Sequence, residues 1–285
     1  MSPRASPRKP LFQRLRTESN REVTEMPNHK LMTQGVVCLL VFLWITPSHV
    51  MGTGRTIMDK AAANLASLDL RAVVRIETVK QGTQTKQRVF WLIIHPDQNK
   101  QTVFLEFIEP KESAGLRFLF QKDQQGELRG YMYVPEEGVV VALKGQDRSV
   151  DIGGTGLSVG DLLFVNRGGK QEERLVKEEK VEGTDCYVIE VEDAEGGKRI
   201  YWVSKDDSLI VRSRQQDARG KTQREFQVVK FFRSDDGKKF AREIQVTIPD
   251  KRLKTMAILE HAVFGISVPE ELLDPKNFGT VKWRD

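Results

Sequence analysis

From residue 70 onward the chain alternates apolar and polar positions in short runs. Leu70, Ala72, Val74 and Ile76 alternate with Arg71, Arg75 and Glu77, the period of a strand with one wet face. The run over 88–94 is apolar on both faces and stops at His95-Pro96. Residues 102–108 set Val103, Leu105 and Phe107 on one side and stop at Pro110. Further runs follow over 116–120, 131–134 and 139–143. The second half repeats the habit over 174–179, 186–192, 198–204, 209–214, 226–233, 240–248 and 255–263. Turns such as Glu195-Gly196-Gly197, Lys205-Asp206-Asp207-Ser208 and Asp235-Asp236-Gly237 separate these runs, at hairpin length.

One stretch keeps a different period. Ile57, Ala61, Leu65 and Leu68 recur at helical spacing, which predicts a helix over 56–68, with Thr56 and Asp59 as a capping box. A single helical turn is expected over 269–273. No helix falls between successive strands, which argues against a parallel sheet. A mainly β, antiparallel meander curling into an open or closed barrel fits best. With no repeat of fixed period and no Pro/Ser linker, residues 53–285 read as one domain.

The first 52 residues differ in kind. Lys30 precedes an apolar run of ten residues, 36–45, broken by Pro47 and followed by Gly52 and Gly54. That is the layout of a secretory signal peptide, preceded by a Pro-, Arg- and Ser-rich extension expected to be unstructured. The alternative, a membrane anchor over 31–51, needs about 20 apolar residues, and Thr33, Gln34, Thr46, Ser48 and His49 interrupt it. Export to the periplasm is therefore the expected localisation.

Charge changes the picture once the leader is set aside. Of 45 Lys/Arg and 40 Asp/Glu, seven and three lie within residues 1–52, leaving 38 and 37 for residues 53–285. The remainder is near neutral, which gives no argument for nucleic acid. Cys38 lies in the leader without the Leu-x-Gly of a lipidation site, and Cys186 alone reads as a small buried hydrophobe. With one cysteine there is no internal disulfide, so a core must hold the domain together.

No catalytic chemistry emerges, and the chain is read as a non-enzyme without cofactor or metal. His95 and His261 stand without a second ligand at metal spacing. No Gly-x-Ser-x-Gly occurs. The loop Gly153-Gly154-Thr155-Gly156-Leu157-Ser158-Val159-Gly160 lacks the Lys of a phosphate loop, and Asp161 would repel phosphate. Apolar surface is what stands out. Strands apolar on both faces must be covered by other elements or line a cavity. The candidate lining is Trp91, Ile93, Leu105, Phe107, Phe118, Phe120, Tyr131, Tyr133 and Trp202.

A resemblance narrows this. Gly115-Leu116-Arg117-Phe118-Leu119, then Tyr133-Val134-Pro135, then the run from Arg148 to Leu162 resemble the LolA-like family, in its outer-membrane lipoprotein-sorting branch. Arg148, Ser149, Gly154, Asp161 and Leu162 match that branch in register. Gly156, Val159 and Gly160 replace an acid, an aromatic and an acid, so the loop here is less polar. Tyr201-Trp202-Val203 and residues 269–278 extend the resemblance. It implies a half-open antiparallel β-barrel of about eleven strands with a few helices as lid, the loop at Gly154, Leu157 and Leu162 included. It implies a cavity for acyl chains of lipoproteins or lipids, with Arg88 or Arg148 meeting a headgroup. The expected role is a monomeric periplasmic carrier or acceptor serving transport to the outer membrane, working with an inner-membrane transporter. The alternatives are a sensor or accessory module for an inner-membrane partner and, further off, a hydrolase with dispersed catalytic residues.

Overall fold

The computed structural model describes residues 51–285 except 85–86, 98–99, 126, 144–151, 153, 159–171, 194, 235–236 and 284–285. The segment expected to be the leader thus lies almost wholly outside the described residues, as do Arg148 and Leu162.

One α-helix, α1 (Met51–Ala66), precedes fourteen strands among the described residues. The first seven are β1 (Leu70–Lys80), β2 (Thr83–Gln84), β3 (Arg88–Pro96), β4 (Lys100–Glu109), β5 (Arg117–Asp123), β6 (Leu128–Val134) and β7 (Val139–Leu143). The second seven are β8 (Glu173–Val181), β9 (Thr184–Glu192), β10 (Lys198–Ser204), β11 (Ile210–Gln216), β12 (Thr222–Arg233), β13 (Lys239–Ile248) and β14 (Leu253–Phe264). Short 3-10 turns occupy Lys111–Ser113, Pro249–Lys251 and Glu270–Leu273; the last meets the expected turn over 269–273.

The helix starts earlier than its apolar period suggests. Thr56 and Asp59 sit inside it and do not cap it. Its N-terminal half crosses β8 closely. A Cβ on Gly54 would overlap the Glu173 carbonyl, so only glycine allows this approach.

Thirteen strands form one antiparallel sheet in the order β7-β6-β5-β4-β3-β1-β14-β13-β12-β11-β10-β9-β8, and β2 pairs only with β1. Two meanders thus meet at the centre, where β1 pairs with β14 from Leu70↔Phe264 to Lys80↔Leu253. The sheet is unclosed, its described strands ending at β7 and β8, and the fold is a half-open barrel with one helix among the described residues. Thirteen of these strands fall on the alternating runs of the sequence, and the two-residue β2 is the addition; the count exceeds the eleven that the resemblance implies.

Strand alternation sorts the side chains. Leu70, Val74, Phe90, Leu92, Leu105 and Phe226 belong to the inner core. At one end of that face α1 lays Met58 and Ala61 on Ile189, Tyr201 and Val203. The chain after β14 returns over the opposite face of β3–β6, where Leu272, Leu273 and Phe278 cover Ile93, Phe104 and Leu119. The two apolar faces of β3–β5 are therefore accounted for separately, one by the inner core with Leu157 and residues of β12–β14, the other by the C-terminal tail.

Candidate functional site

The inner face keeps a space that its side chains do not fill. Leu70 and Val74 of β1, Leu92 and Ile94 of β3, and residues of β12–β14 form its floor, while Leu65, Leu68 and Leu157 close over it. All nineteen lining residues are aliphatic or aromatic. The enclosed volume is about 80 Å³, small beside the ~300–1,000 Å³ of most ligand pockets. An apolar cavity of this kind stays dry, and burying an alkyl chain there gains about 0.8 kcal/mol per CH₂.

Both ends of this space are stoppered, by different means. At the Lys80 end of β1, Ile152 and residues 154–158 lie on the inner face, with Ile152 and Leu157 in the core. Thr255, 1 % exposed, donates its hydroxyl to the Thr155 carbonyl at 2.5 Å and approaches Thr78 at 3.4 Å. Arg224 donates to the Gly156 carbonyl. Gly156 has φ +74 and sits so close under Leu253 that a Cβ would stand 2.5 Å from its Cδ2, so two requirements converge on glycine there. The described part of the glycine-rich loop, expected as part of a lid, is latched by hydrogen bonds.

At the Leu70 end the stopper is aromatic. Phe240 stacks on Phe264 with ring centroids 4.4 Å apart, and Phe232 lies 5.5 Å from Phe240 and 5.9 Å from Phe264. Beyond the rings is an open vestibule of about 730 Å³. Its walls add Asn64, Ser67, Asp69, Arg233 and Lys238 to the same three phenylalanines.

The residues singled out in the sequence fall in three places. Leu105, Phe107, Phe118 and Phe120 face the inner core, with Phe118 and Phe120 stacked at 6.1 Å. Ile93, Tyr131 and Tyr133 pack under the C-terminal tail, and Trp91 meets Trp283 edge-on there at 5.7 Å. Trp202 lies on the opposite face of β10 with Cys186, Val188 and Val211. Its indole donates to Glu179, and the Arg212 guanidinium stands over the ring at 5.1 Å. Hydrogen bonds from Lys177 and Trp202 hold the Glu179 carboxyl below its ordinary value. Of the described residues named for the cavity wall, lid or headgroup contact, Leu157 alone lines this space. Arg88 sits at the latched end, its Nη2 3.8 Å from where a Cβ on Gly154 would stand.

The rest of the lining went unnoticed in the sequence. Phe231-Phe232 break the alternation of β12 by standing side by side, and that was the available signal. Among the described residues no group of three or more His, Cys, Asp or Glu is placed to hold a metal. His95 pairs instead with Asp69 at 3.1 Å, and Cys186 is buried, its thiol pushed up by desolvation. No described helix is long and apolar enough to cross a membrane.

Comparison with known proteins bears on this cavity. A family model described as "-like: Uncharacterized protein" matches residues 99–280. A structure from Vibrio parahaemolyticus, described as an outer membrane lipoprotein-sorting protein domain, aligns with TM-score 0.69 at 16% identity, over 80% of this chain and 99% of that one. A DUF1329 family protein from Desulfovibrio piger aligns with TM-score 0.66 at 17% identity, over 77% and 96%. A LolA superfamily protein from Nitrosomonas europaea aligns with TM-score 0.58 at 15% identity, over 78% and 97%. At these identities the likeness is one of fold. No curated protein matches the sequence.

Proposed function

We propose that this chain, which belongs to the family whose model matches residues 99–280 and shares the fold of a LolA superfamily protein, is a periplasmic carrier or acceptor of acyl chains from lipoproteins or lipids. The observation that carries this reading is the wholly apolar space between α1 and the sheet, lined by nineteen residues without one polar side chain. An ordinary core of this size would close such a gap, since unfilled volume costs stability. A carrier keeps it as the start of a site that widens around its ligand. The leader delivers the chain to the compartment where lipoproteins need shielding from water. The hydrophobic gain per methylene is large enough to hold an acyl chain, and modest enough per group for stepwise release.

The test is direct. The mature protein is purified from cells, extracted with organic solvent, and the extract analysed for lipid by mass spectrometry; uptake of a fluorescent fatty acid is measured in parallel. Co-purifying acyl lipid or saturable uptake is expected. A lipid-free protein that also takes up no probe ends the carrier reading. Filling the space separates cavity from core. Ala257→Leu adds bulk at a lining position and is expected to shift stability by less than the ~1–3 kcal/mol of ordinary overpacking, while probe uptake falls.

A further inference from the structure

We infer that the ligand's apolar chain enters and leaves through a seam in the sheet between β13 and β14, gated by Phe232, Phe240 and Phe264, at the end opposite the latched loop. The inference rests on the carrier reading of the cavity and adds the route and the ligand's shape.

The seam is visible in the register. β13 and β14 are hydrogen-bonded only from Glu243↔Ile258 to Ile248↔Leu253. Beyond that point β14 continues along β1 as far as Leu70↔Phe264. β13 continues along β12 as far as Arg233↔Lys239. The two strands part company, and residues 239–242 and 259–264 face each other without a ladder. Bulges explain why. The β12–β13 register shifts twice, around Lys230. The β1–β14 register shifts between Arg71 and Val73, where His261 takes φ +50. A bulge bends its strand and ends regular pairing. Both sides of the fork are bent at the same level, so the β12–β13 tip peels from β14.

What fills the fork is rings. Phe240 and Phe264 stack across the gap, one from each diverging strand, with Phe232 against both. These three, with Leu68, line both the enclosed space and the vestibule. They are the partition between a dry interior and water. A partition of rotatable side chains opens without breaking backbone hydrogen bonds. The other end must break the Thr255, Thr155 and Arg224 contacts first.

The two spaces also differ in a way that orients a ligand. The inner one is about 80 Å³ and apolar; the outer is about 730 Å³, with Asn64, Ser67, Arg233 and Lys238 among its walls. This suits an amphiphile that threads one slender chain past the rings and leaves its polar end in the vestibule.

Stopped-flow uptake of cis-parinaric acid by the mature protein tests the route. Phe240→Ala and Phe264→Leu are expected to raise both association and dissociation rates about three- to tenfold, the scale of one lost aromatic pair. Kd then moves less than either rate. Phe264→Leu keeps apolar bulk, so it decides the matter if Phe240→Ala does not fold. Unchanged rates in a folded gate variant overturn the seam. Acceleration by Thr255→Val in place of the gate variants also overturns it, in favour of the latched end. A wild-type protein that binds no probe removes the carrier reading and this route together, whereas binding with gate-insensitive rates removes the route alone.

Discussion

Arg117 and Glu106 fasten the C-terminal tail to the sheet. Glu106 is 2 % exposed and meets the Arg117 guanidinium at 3.2 Å. Arg117 also donates to the carbonyls of Phe278, Gly279 and Val281, at 2.7, 3.0 and 3.0 Å, and Trp283 donates to Glu106 at 2.6 Å. Removing one partner of such a pair strands a buried charge, at a cost of about 3–5 kcal/mol. Arg117→Ala is expected to lower Tm by roughly 6–20 °C, at about 2–4 °C per kcal/mol for a domain of this size, as thermal unfolding would show. Glu179 sets a pH dependence. Its pKa is depressed in the folded state by hydrogen bonds from Lys177 and Trp202, so its stabilisation is present above the unfolded value near 4.5 and fades as pH falls through the lower folded value. Urea titrations at neutral pH and at about pH 3 should show Glu179→Gln losing less stability on acidification than the wild type. These partners could not be read from the sequence. Arg117 and Glu106 occur in different strands and meet only across the β4–β5 register, and neither Trp91 nor Trp202 announces which cover its face will receive.

Among the elements, strands were legible and their covers were not. The alternation of Leu70 to Ile76 and the hairpin turns give the start of β1, all of β10 and β9 and β11 to within two residues, because period two leaves no other way to bury one face. The helix was placed by Ile57, Ala61 and Leu65, yet its start was missed, since Gly54 looks like a break until β8 lies against it. Gly54→Ala is expected to loosen α1 from β8 and lower stability, despite alanine's better helix propensity of about 1 kcal/mol; a rise in Tm would contradict that close approach. The latch was missed for a related reason. Gly153 to Gly160 looks flexible by composition, while Thr155 and Thr255 join only through a contact one hundred residues apart. Thr255→Val leaves the Thr155 carbonyl without its donor, which costs about 1–3 kcal/mol, and should speed proteolytic cleavage within 152–158. The seam was hidden most deeply. A bulge at His261 has no signature in the alternation, which simply continues on the other face.

For the molecule as a whole, family resemblance carried what periodicity could not. Runs apolar on both faces were legible as an excess to be covered, and the LolA-like motifs turned that excess into a half-open barrel. The tail's part was not legible, because 266–283 has no period and acts through single side chains. Deleting residues 266–285 would bare Ile93, Phe104 and Leu119, all at most 1 % exposed in the intact chain. A contiguous apolar face of that kind drives association, so the truncated protein is expected to elute as oligomers or aggregates on size-exclusion chromatography, and a clean monomer peak would contradict the tail's covering role.

The pairing at the centre of the sheet has a consequence for how the chain is made. β1 is the first strand synthesised and β14 the last, yet they lie side by side with β3 and β13 flanking them. About 190 residues separate Leu70 from its partner Phe264, and contacts so distant in sequence form slowly. Until the ribosome reaches β14, each meander has an inner face with nothing beside its innermost strand. A nascent chain in that condition remains an open thread. A fold that only its last described strand can complete therefore stays open for most of its synthesis.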